Sequence, residues 1–290
     1  MRIQLLGKVV MLLLPLLAGA LWLELWLRGH PSSYVQKDAQ LRAAAPTLRL
    51  LVLGDSQAEQ GLWAPALGKA YVMAHPSQPL HMDSLLLAHY GPALPALRQV
   101  VVVLGVHRLQ EDASAAGSRA RIYDALYGPP SYNPATWLRR RLHILQLAPR
   151  EAVQFALAPY QPLPATARGS RLQPMCQVPG LPLARARRQG LAAYARPAVA
   201  RANLGRLLAM QAWCRARGVD FLLVLPPASP AYRQVAAPDF AAQQRLLDSA
   251  GLPYLAFTPL LPATAFADAD HPCAAGARAF SEALARVFAP

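Results

Sequence analysis

The chain has little cysteine and no metal-binding spacing, and each shortage excludes a class of protein. Its 290 residues contain three cysteines, Cys176, Cys214 and Cys273. An odd number excludes a complete disulfide framework, and the residues do not choose which pair, if any, is bridged. Because neither a CxxC nor an HExxH spacing occurs, the sequence predicts no metal site and no cofactor.

Acidic residues are also few, so the chain is strongly basic. Asp and Glu number 15 against 29 Lys and Arg, a formal charge of +14 carried almost entirely by arginine. Such a surface attracts polyanions, namely nucleic acid, anionic lipid or acidic polysaccharide, although arginine-rich composition also arises from genome bias. Without a zinc-finger spacing, an RRM signature or a basic-aromatic repeat, we expect no nucleic-acid partner.

Residues 1–28 carry the long apolar run of the chain. Arg2 and Lys8 precede it, and Val9 to Leu27 is interrupted by Glu24 alone. The length and the basic flank predict a single-pass inner-membrane anchor with the N-terminus in the cytoplasm and the main domain on the periplasmic side. A cleavable signal peptide stays open, because Ala18-Gly19-Ala20 has the small-x-small pattern of a cleavage site.

Short apolar runs that end at glycine or proline predict the fold class. Leu48 to Leu53 ends at Gly54, Val100 to Leu104 ends at Gly105, and Val219 to Leu225 ends at Pro226. Helical patterns separate them, one of them predicted to begin with Asp83 or Ser84 as its cap. Continuous apolar strands alternating with helices predict an α/β fold, a three-layer sandwich with a central parallel sheet.

Three further segments complete the predicted organisation. Residues 29–47 are polar without periodicity and predict a tether, after which 48–290 form the α/β domain. Residues 111–203 are rich in arginine and proline and predict an insertion of helices and loops, which is a lid, a docking surface or an ordinary solvated surface. Its basic clusters are Arg139 to Arg141, then Arg185, Arg187 and Arg188. Helices near 204–217, 240–249 and 275–288 and a strand at 253–257 follow.

The segment Gly54-Asp55-Ser56-Gln57 directly follows the first predicted strand. A serine there lies at the carboxyl edge of a parallel sheet, where open α/β folds bind their ligands. If a helix begins at Ser56, its backbone N–H groups are able to stabilise an oxyanion. A simple helix cap formed by Asp55 or Ser56 is the alternative.

The segment Asp268-Ala269-Asp270-His271 precedes the last predicted helix. A serine hydroxyl becomes a good nucleophile when an imidazole removes its proton and a carboxylate orients that imidazole. The chain therefore offers a nucleophile near one end of the domain and a base with an orienting carboxylate at the other. An exposed loop histidine is the alternative interpretation.

A strand followed by GDS, with DxxH before the final helix, resembles the SGNH or GDSL-like hydrolase superfamily. The segments Phe266 to Leu284 and Leu223 to Tyr232 look closest to membrane-anchored DltD-like and alginate-acetylation-like proteins of the cell envelope. The resemblance covers about residues 48–110 and 204–290. It implies Ser56 as nucleophile, His271 as general base and Asp268 as its orienting carboxylate, with Asp270 as second choice because a turn would aim it elsewhere.

The chain departs from the family pattern at the oxyanion hole. The Ser56 N–H is one expected donor. The family's glycine donor has no counterpart in Met73 to Gln78, where the N–H of Ala74 or Ser77 is the substitute, and the family's asparagine is replaced by His107. His75, His81, His89 and His143 are expected to be structural.

Two functions follow from the resemblance. The first is an exported serine esterase or O-acyltransferase that acts on a cell-envelope or secreted polysaccharide through an acyl-Ser56 intermediate, with a membrane acyl-donor protein as a partner by family analogy. The second, suggested by the altered oxyanion set, is a non-catalytic scaffold or glycan-binding subunit of a polysaccharide modification complex. Mutation of Ser56 distinguishes them.

Overall fold

The computed structural model describes residues 2–111, 119–128, 134–146, 163–176 and 197–288. The chain divides into two compact units. The first unit comprises residues 1–36 and 117–162, and the second comprises residues 37–116 and 163–290.

The second unit is built on a five-stranded parallel sheet in the order β2-β1-β3-β4-β5. The strands are β1 Leu50–Gly54, β2 Ala70–Ala74, β3 Gln99–Val103, β4 Asp220–Leu225 and β5 Tyr254–Ala256. Because all strands run the same way, their carboxyl ends share one edge, and β2 and β3 flank β1 there. The predicted α/β fold with a central parallel sheet is confirmed.

Helices cover the sheet on both faces. In the second unit these are α3 Ser56–Gly61, α4 Leu80–Tyr90, α8 Pro197–Arg215, α9 Pro230–Val235, α10 Ala237–Ser249 and α11 Ala274–Phe288. On one face, Val52, Val101 and Val224 pack against Phe280 and Leu284 of α11. Alternate strand residues face the other way and are equally buried, beneath α4 and α8. Burial on both faces explains why the strands are continuously apolar.

The first unit contains helix α1, Arg2–Gly29, together with α5 Arg119–Tyr127, α6 Pro134–Arg141 and α7 His143–Gln146. The stretch Met11–Gly29 is a 19-residue candidate membrane span with mean hydropathy 1.5, of which 11% is buried. Helix α7 packs on α1. Length and composition therefore allow α1 to be a membrane span or a signal sequence.

The structure differs from the sequence predictions in three places. Residues 29–47, predicted to form a tether, contain helix α2, Ser33–Ala44, which begins in the first unit and ends in the second. Its residues Lys37 and Leu41 are fully buried. Asp83 and Ser84 do not cap α4, because the helix begins at Leu80 and Asp83 pairs with Arg108 inside the protein. Strand β2 was not predicted.

The strands predicted at 48–53, 100–104, 219–225 and 253–257 and the helices predicted at 240–249 and 275–288 lie within three residues of the observed ones. The helix predicted at 204–217 begins earlier, at Pro197, and ends at Arg215. The basic cluster Arg185, Arg187 and Arg188 lies outside the described residues. The other predicted cluster, at 139–141, ends helix α6.

A disulfide joins Cys176 to Cys273, and Cys214 is a buried free thiol. Around the bridge, the N–H of Ala274 donates to the carbonyl of Gln173 at 2.7 Å. Cys273 lies two residues after His271 in the chain. The bridge therefore ties the segment 163–176 to the loop that carries this histidine.

Removal of this disulfide should destabilise the second unit. Because the bridge spans 97 residues in sequence, the double variant Cys176→Ser/Cys273→Ser should lose about 2–5 kcal/mol of unfolding free energy. Urea unfolding of the full chain checks this. The variant Cys214→Ala, which removes the free thiol and keeps the bridge, is the matched control. An equal unfolding midpoint for the double variant and the wild type would contradict a structural role for the bridge.

Candidate active site

Ser56 is the first residue of α3, directly after β1, at the carboxyl edge of the sheet. Asp55 is the N-cap of this helix, and its carboxylate accepts a hydrogen bond from the Gln57 N–H at 2.9 Å. The cap predicted from the sequence is therefore present, and it orients the helix that begins with Ser56. A cap and a reactive serine are compatible at adjacent residues.

Gly54 makes the turn from β1 into α3. Its φ of +152° lies in a region that side chains rarely adopt, and a Cβ there would lie 2.6 Å from the Cβ of Ala58. Only glycine fits this crossing of strand and helix. The backbone geometry therefore requires glycine at the first position of Gly54-Asp55-Ser56, independently of the chemistry at Ser56.

His271 lies beside Ser56. Its Nε2 is 2.8 Å from the Ser56 Oγ, and its Nδ1 is 2.9 Å and 3.0 Å from the two carboxylate oxygens of Asp268. Asp268 also accepts the N–H groups of Asp270 and His271 at 3.0 Å and 2.8 Å, so the loop folds around this carboxylate. Residues separated by more than 200 positions thus form one chain of hydrogen bonds from carboxylate to ring to hydroxyl.

Asp270 also reaches the histidine. Its Oδ1 lies 3.3 Å from the His271 Nδ1, so the expectation that a turn would aim this carboxylate elsewhere is wrong. Asp268 turns back through its own backbone contacts, and both carboxylates then face the same ring nitrogen. Asp268 is the nearer partner. The three side chains offer ligand atoms within 4.8 Å of one another, but Nε2 faces the Ser56 hydroxyl, which suits proton transfer.

The two carboxylates make His271 unusually basic. Burial alone would lower the pKa of His271, but the hydrogen bonds and charges of Asp268 and Asp270 outweigh it and raise the pKa to about 10. Burial alone would raise the pKa of Asp268, but its hydrogen bond to His271, that residue's charge and the two backbone N–H groups hold it well below its ordinary value. The fraction of His271 rings that are neutral, and therefore able to accept the Ser56 proton, increases as the pH rises towards this pKa.

The predicted oxyanion donors lie at or after the carboxyl ends of β1, β2 and β3. The Ser56 N–H begins α3. Ala74 ends β2, and its carbonyl accepts a hydrogen bond from the buried Lys37 ammonium. Ser77 has a φ of +52° in the turn before α4. The His107 Nε2 is hydrogen-bonded to the Tyr232 hydroxyl. Among the described residues, hydrogen bonds join Ser56 to His271 but to none of Ala74, Ser77 and His107.

Sequence reasoning missed Gln57, the residue after the serine. Its amide Nε2 lies 3.4 Å from both the carbonyl and the Oδ2 of Asp270. A Cβ on Gly105 would lie 2.0 Å from the Gln57 Oε1, so glycine at 105 makes room for this side chain. Gln57 thus links α3 to the His271 loop. Its place directly after GDS was the signal that could have identified it.

Sequence reasoning also missed a charged cluster beneath the site. Arg108 is fully buried, and its Nη2 lies 2.5 Å from the Asp83 Oδ2 and its Nε 3.8 Å from the Asp55 Oδ2. The guanidinium also donates to the carbonyls of Gln78 at 2.7 Å and Val103 at 2.9 Å. Arg108 therefore joins the loops after β2 and β3 to the helix cap before Ser56.

Two more acidic groups lie near these loops. Burial, together with the charge of Asp55, raises the pKa of Glu111 to about 7 against the opposing charge of Arg108. Glu59, one helical turn after Ser56, forms a buried ion pair with Lys37 at 2.9 Å. Helix α3 is thus held by an ion pair along its length as well as by its cap.

The two carboxylates should affect the reaction differently, Asp270 through its pH dependence and Asp268 through its rate. Asp270→Asn removes one charge that raises the pKa of His271, so the acidic limb of the pH profile should move down by about one unit. Asp268→Asn removes the nearer orienting group and should lower the rate at every pH by about 10²- to 10⁴-fold. The second-order rate of inactivation by a fluorophosphonate probe, measured from pH 6 to 10, checks both.

Asp268→Asn and Asp270→Asn are isosteric substitutions that each remove one charge, so each variant is the control for the other. An Asp270→Asn profile superimposable on the wild type would show that Asp270 does not act on the ring. Equal rate losses for the two variants would contradict the assignment of Asp268 as the main orienting group.

Comparisons with known proteins give structural likenesses only. No protein-family model matches the chain, and no curated protein matches it. A solved structure from Desulfitobacterium hafniense, described as a lipolytic protein of the G-D-S-L family, is 12% identical with a TM-score of 0.41, covering 83% of this chain and 99% of that one. Another, described as an acylhydrolase from Bacteroides fragilis, is 10% identical with a TM-score of 0.42, covering 89% and 97%. The proposal below rests on the geometry of Ser56, His271 and Asp268.

Proposed function

We propose that the protein is an SGNH-type serine acyl esterase or O-acyltransferase. The observation that carries the proposal is the chain of hydrogen bonds from Asp268 through His271 to Ser56. Nucleophilic catalysis needs these three groups in this order. Ser56 lies at the carboxyl edge of a parallel sheet, where open α/β folds bind their ligands.

The proposed reaction passes through an ester on Ser56. The Ser56 Oγ attacks the acyl carbonyl while the His271 Nε2 takes its proton, and the resulting imidazolium then protonates the departing alcohol oxygen. An acyl-Ser56 ester remains. Water or a sugar hydroxyl, deprotonated by the same nitrogen, attacks this ester, and the proton returns to Ser56. The Ser56 N–H is the proposed first oxyanion donor.

We further propose that helix α1 anchors the chain in the inner membrane, with the second unit on the periplasmic side. Arg2 and Lys8 precede the apolar span, and under the positive-inside rule this supports an N-terminus in the cytoplasm. The Cys176–Cys273 disulfide fits an oxidising compartment outside the cytoplasm. A membrane protein that delivers acyl groups from the cytoplasm is the proposed donor for a transfer reaction.

The proposed substrate is an acidic polysaccharide of the envelope or the extracellular matrix. Its support is the formal charge of +14 and the resemblance of the His271 segment to alginate-acetylation-like proteins. The rival proposal is a non-catalytic glycan-binding subunit, favoured by the engagement of His107 with Tyr232. Reactivity of Ser56 separates the two.

The substrate test uses the full chain in detergent with O-acetylated alginate. Release of acetate, or movement of acetyl from 4-nitrophenyl acetate to unmodified alginate, is expected and is followed by NMR. Dextran is the uncharged control glycan, and Ser56→Ala is the control protein. If Ser56 reacts with a fluorophosphonate but neither alginate reaction occurs, the polysaccharide assignment is wrong and the esterase assignment stands. An unreactive Ser56 would contradict both.

A further inference from the structure

Helices α6 and α7 of the first unit expose large apolar side chains. Trp137 is 50% exposed, and Leu138 and Leu145 are each 40% exposed. The guanidinium of Arg141 lies 4.6 Å from the centre of the Trp137 ring, and Arg139 is on the same helix. We call Trp137, Leu138, Arg139, Arg141 and Leu145 the α6–α7 face. Exposed tryptophan and leucine beside arginine are typical of a surface that binds a membrane interface.

Polar contacts hold helices α6 and α7 against α1. The Glu24 carboxylate accepts the Ile144 N–H at 3.0 Å and the Arg28 Nε at 2.9 Å, and lies 3.4 Å from the His143 Nδ1. Arg28 donates a further hydrogen bond to the Arg141 carbonyl at 3.2 Å. Glu24, the one acidic residue in the apolar segment, is therefore the point at which α7 docks.

The docking point lies near the end of the candidate membrane span. Glu24 and Arg28 are within five residues of Gly29, where the span ends, which is about 8 Å along a helix. Leu21, Trp22 and Leu25, beside the docking point, are each at least 60% exposed. If α1 crosses a bilayer, this level is the boundary between the hydrocarbon and the headgroups, where tryptophan is enriched.

We propose that the α6–α7 face binds the outer interface of the same membrane that α1 enters. Trp137, Leu138 and Leu145 insert among the upper acyl chains, and Arg139 and Arg141 bind the phosphates of anionic phospholipids. The face belongs to helices that dock on α1 at Glu24 and Arg28, next to the exposed residues of α1, and its cations complement lipid phosphate. The proposal rests on the membrane placement of α1 given above and is independent of the chemistry at Ser56.

Because α1 anchors the chain by itself, membrane binding is not an informative readout, and depth must be measured. The variants Leu138→Cys and Leu145→Cys of the full chain are labelled with an environment-sensitive fluorophore. They are placed in nanodiscs of phosphatidylglycerol and phosphatidylcholine with or without lipids that carry a spin label near the headgroup or near the middle of an acyl chain. Leu16→Cys, within α1, is the positive control, and Ser249→Cys, on the second unit, gives the background.

Labels at 138 and 145 should show blue-shifted emission and quenching by the spin-labelled lipid at least about twofold above the label at 249. Substitution of Arg139 and Arg141 by glutamine, or omission of phosphatidylglycerol, should reduce that quenching. If the label at 16 is quenched while the labels at 138 and 145 show only background quenching, the proposal is overturned. A glycan or a protein would then be the partner to test for the α6–α7 face.

Background quenching at 16 as well would show that α1 is not in the bilayer, and this proposal would fall with the anchor. Fluorophosphonate reactivity of Ser56 in the same samples is a separate measurement. It reports whether the second unit is folded and active, so failure at the membrane is distinguished from failure of the proposed chemistry.

Discussion

The single variants Ser56→Ala and His271→Ala should each lower ester turnover by about 10⁴- to 10⁶-fold. Without the hydroxyl no acyl-enzyme forms, and without the imidazole the hydroxyl keeps its proton. The double variant should be no slower than either single variant, because the two groups act as one unit at a separation of 2.8 Å. Hydrolysis of 4-nitrophenyl acetate by the full chain, after subtraction of the buffer rate, measures all three variants.

This non-additivity is the informative part of the experiment. Serine and histidine that serve unrelated structural roles would give losses that multiply. Ser249→Ala, a substitution on the exposed surface of α10, is the matched control and should keep wild-type turnover. A double variant much slower than both single variants would contradict a shared catalytic role.

Replacement of Arg108 by methionine should lower the free energy of unfolding by about 3–5 kcal/mol. The substitution keeps most of the side-chain volume but leaves Asp83, which is fully buried, without its cation at 2.5 Å. It also removes the hydrogen bonds that the guanidinium donates to the carbonyls of Gln78 and Val103. Urea unfolding of the full chain measures the loss, and Arg245→Met, at an exposed position of α10, should change stability by about 0.5 kcal/mol or less.

A second substitution tests the cause of this loss. In Arg108→Met/Asp83→Leu both charges are absent, so much of the lost stability should return. If the double variant is as unstable as Arg108→Met, packing of the arginine stem rather than the unpaired Asp83 carboxylate is responsible. Both stability patterns test how the fold is held together, and the proposed chemistry rests separately on Ser56, His271 and Asp268.

Local sequence patterns predicted the parts of the fold that depend on neighbouring residues. Buried parallel strands read as apolar runs, and a turn glycine followed by Asp-Ser marks the strand-to-helix crossing at Ser56. Strand β2 gave no such signal, because Ala70 to Ala74 begins and ends with alanine, a residue that favours helices, rather than with branched apolar residues. Helix α2 was missed because its buried residues are Leu41 and a charged residue, Lys37. The lysine is buried because its ammonium pairs with the Glu59 carboxylate.

Contacts between distant residues were beyond local reasoning. Asp83 has the sequence pattern of a helix cap. Its observed partner, Arg108, lies 25 residues away in the chain, so a local pattern could not reveal the pairing. The choice of Cys176 and Cys273 as the bridged pair depends on how the segment 163–176 returns to the His271 loop. The contact of Asp268 with His271 was predicted because the two residues are three positions apart, whereas the second contact, from Asp270, depends on the folded shape of that loop.

The central claim is that Ser56 is an activated nucleophile, and covalent labelling tests it most directly. The full chain is treated with a fluorophosphonate, and intact mass and peptide mapping locate the adduct in the wild type, Ser56→Ala, His271→Ala and Ser249→Ala. We predict one adduct per chain, on Ser56, in the wild type and in Ser249→Ala, and none in the other two. A folded wild-type protein that stays unlabelled, or that is labelled at another serine, would contradict the assignment.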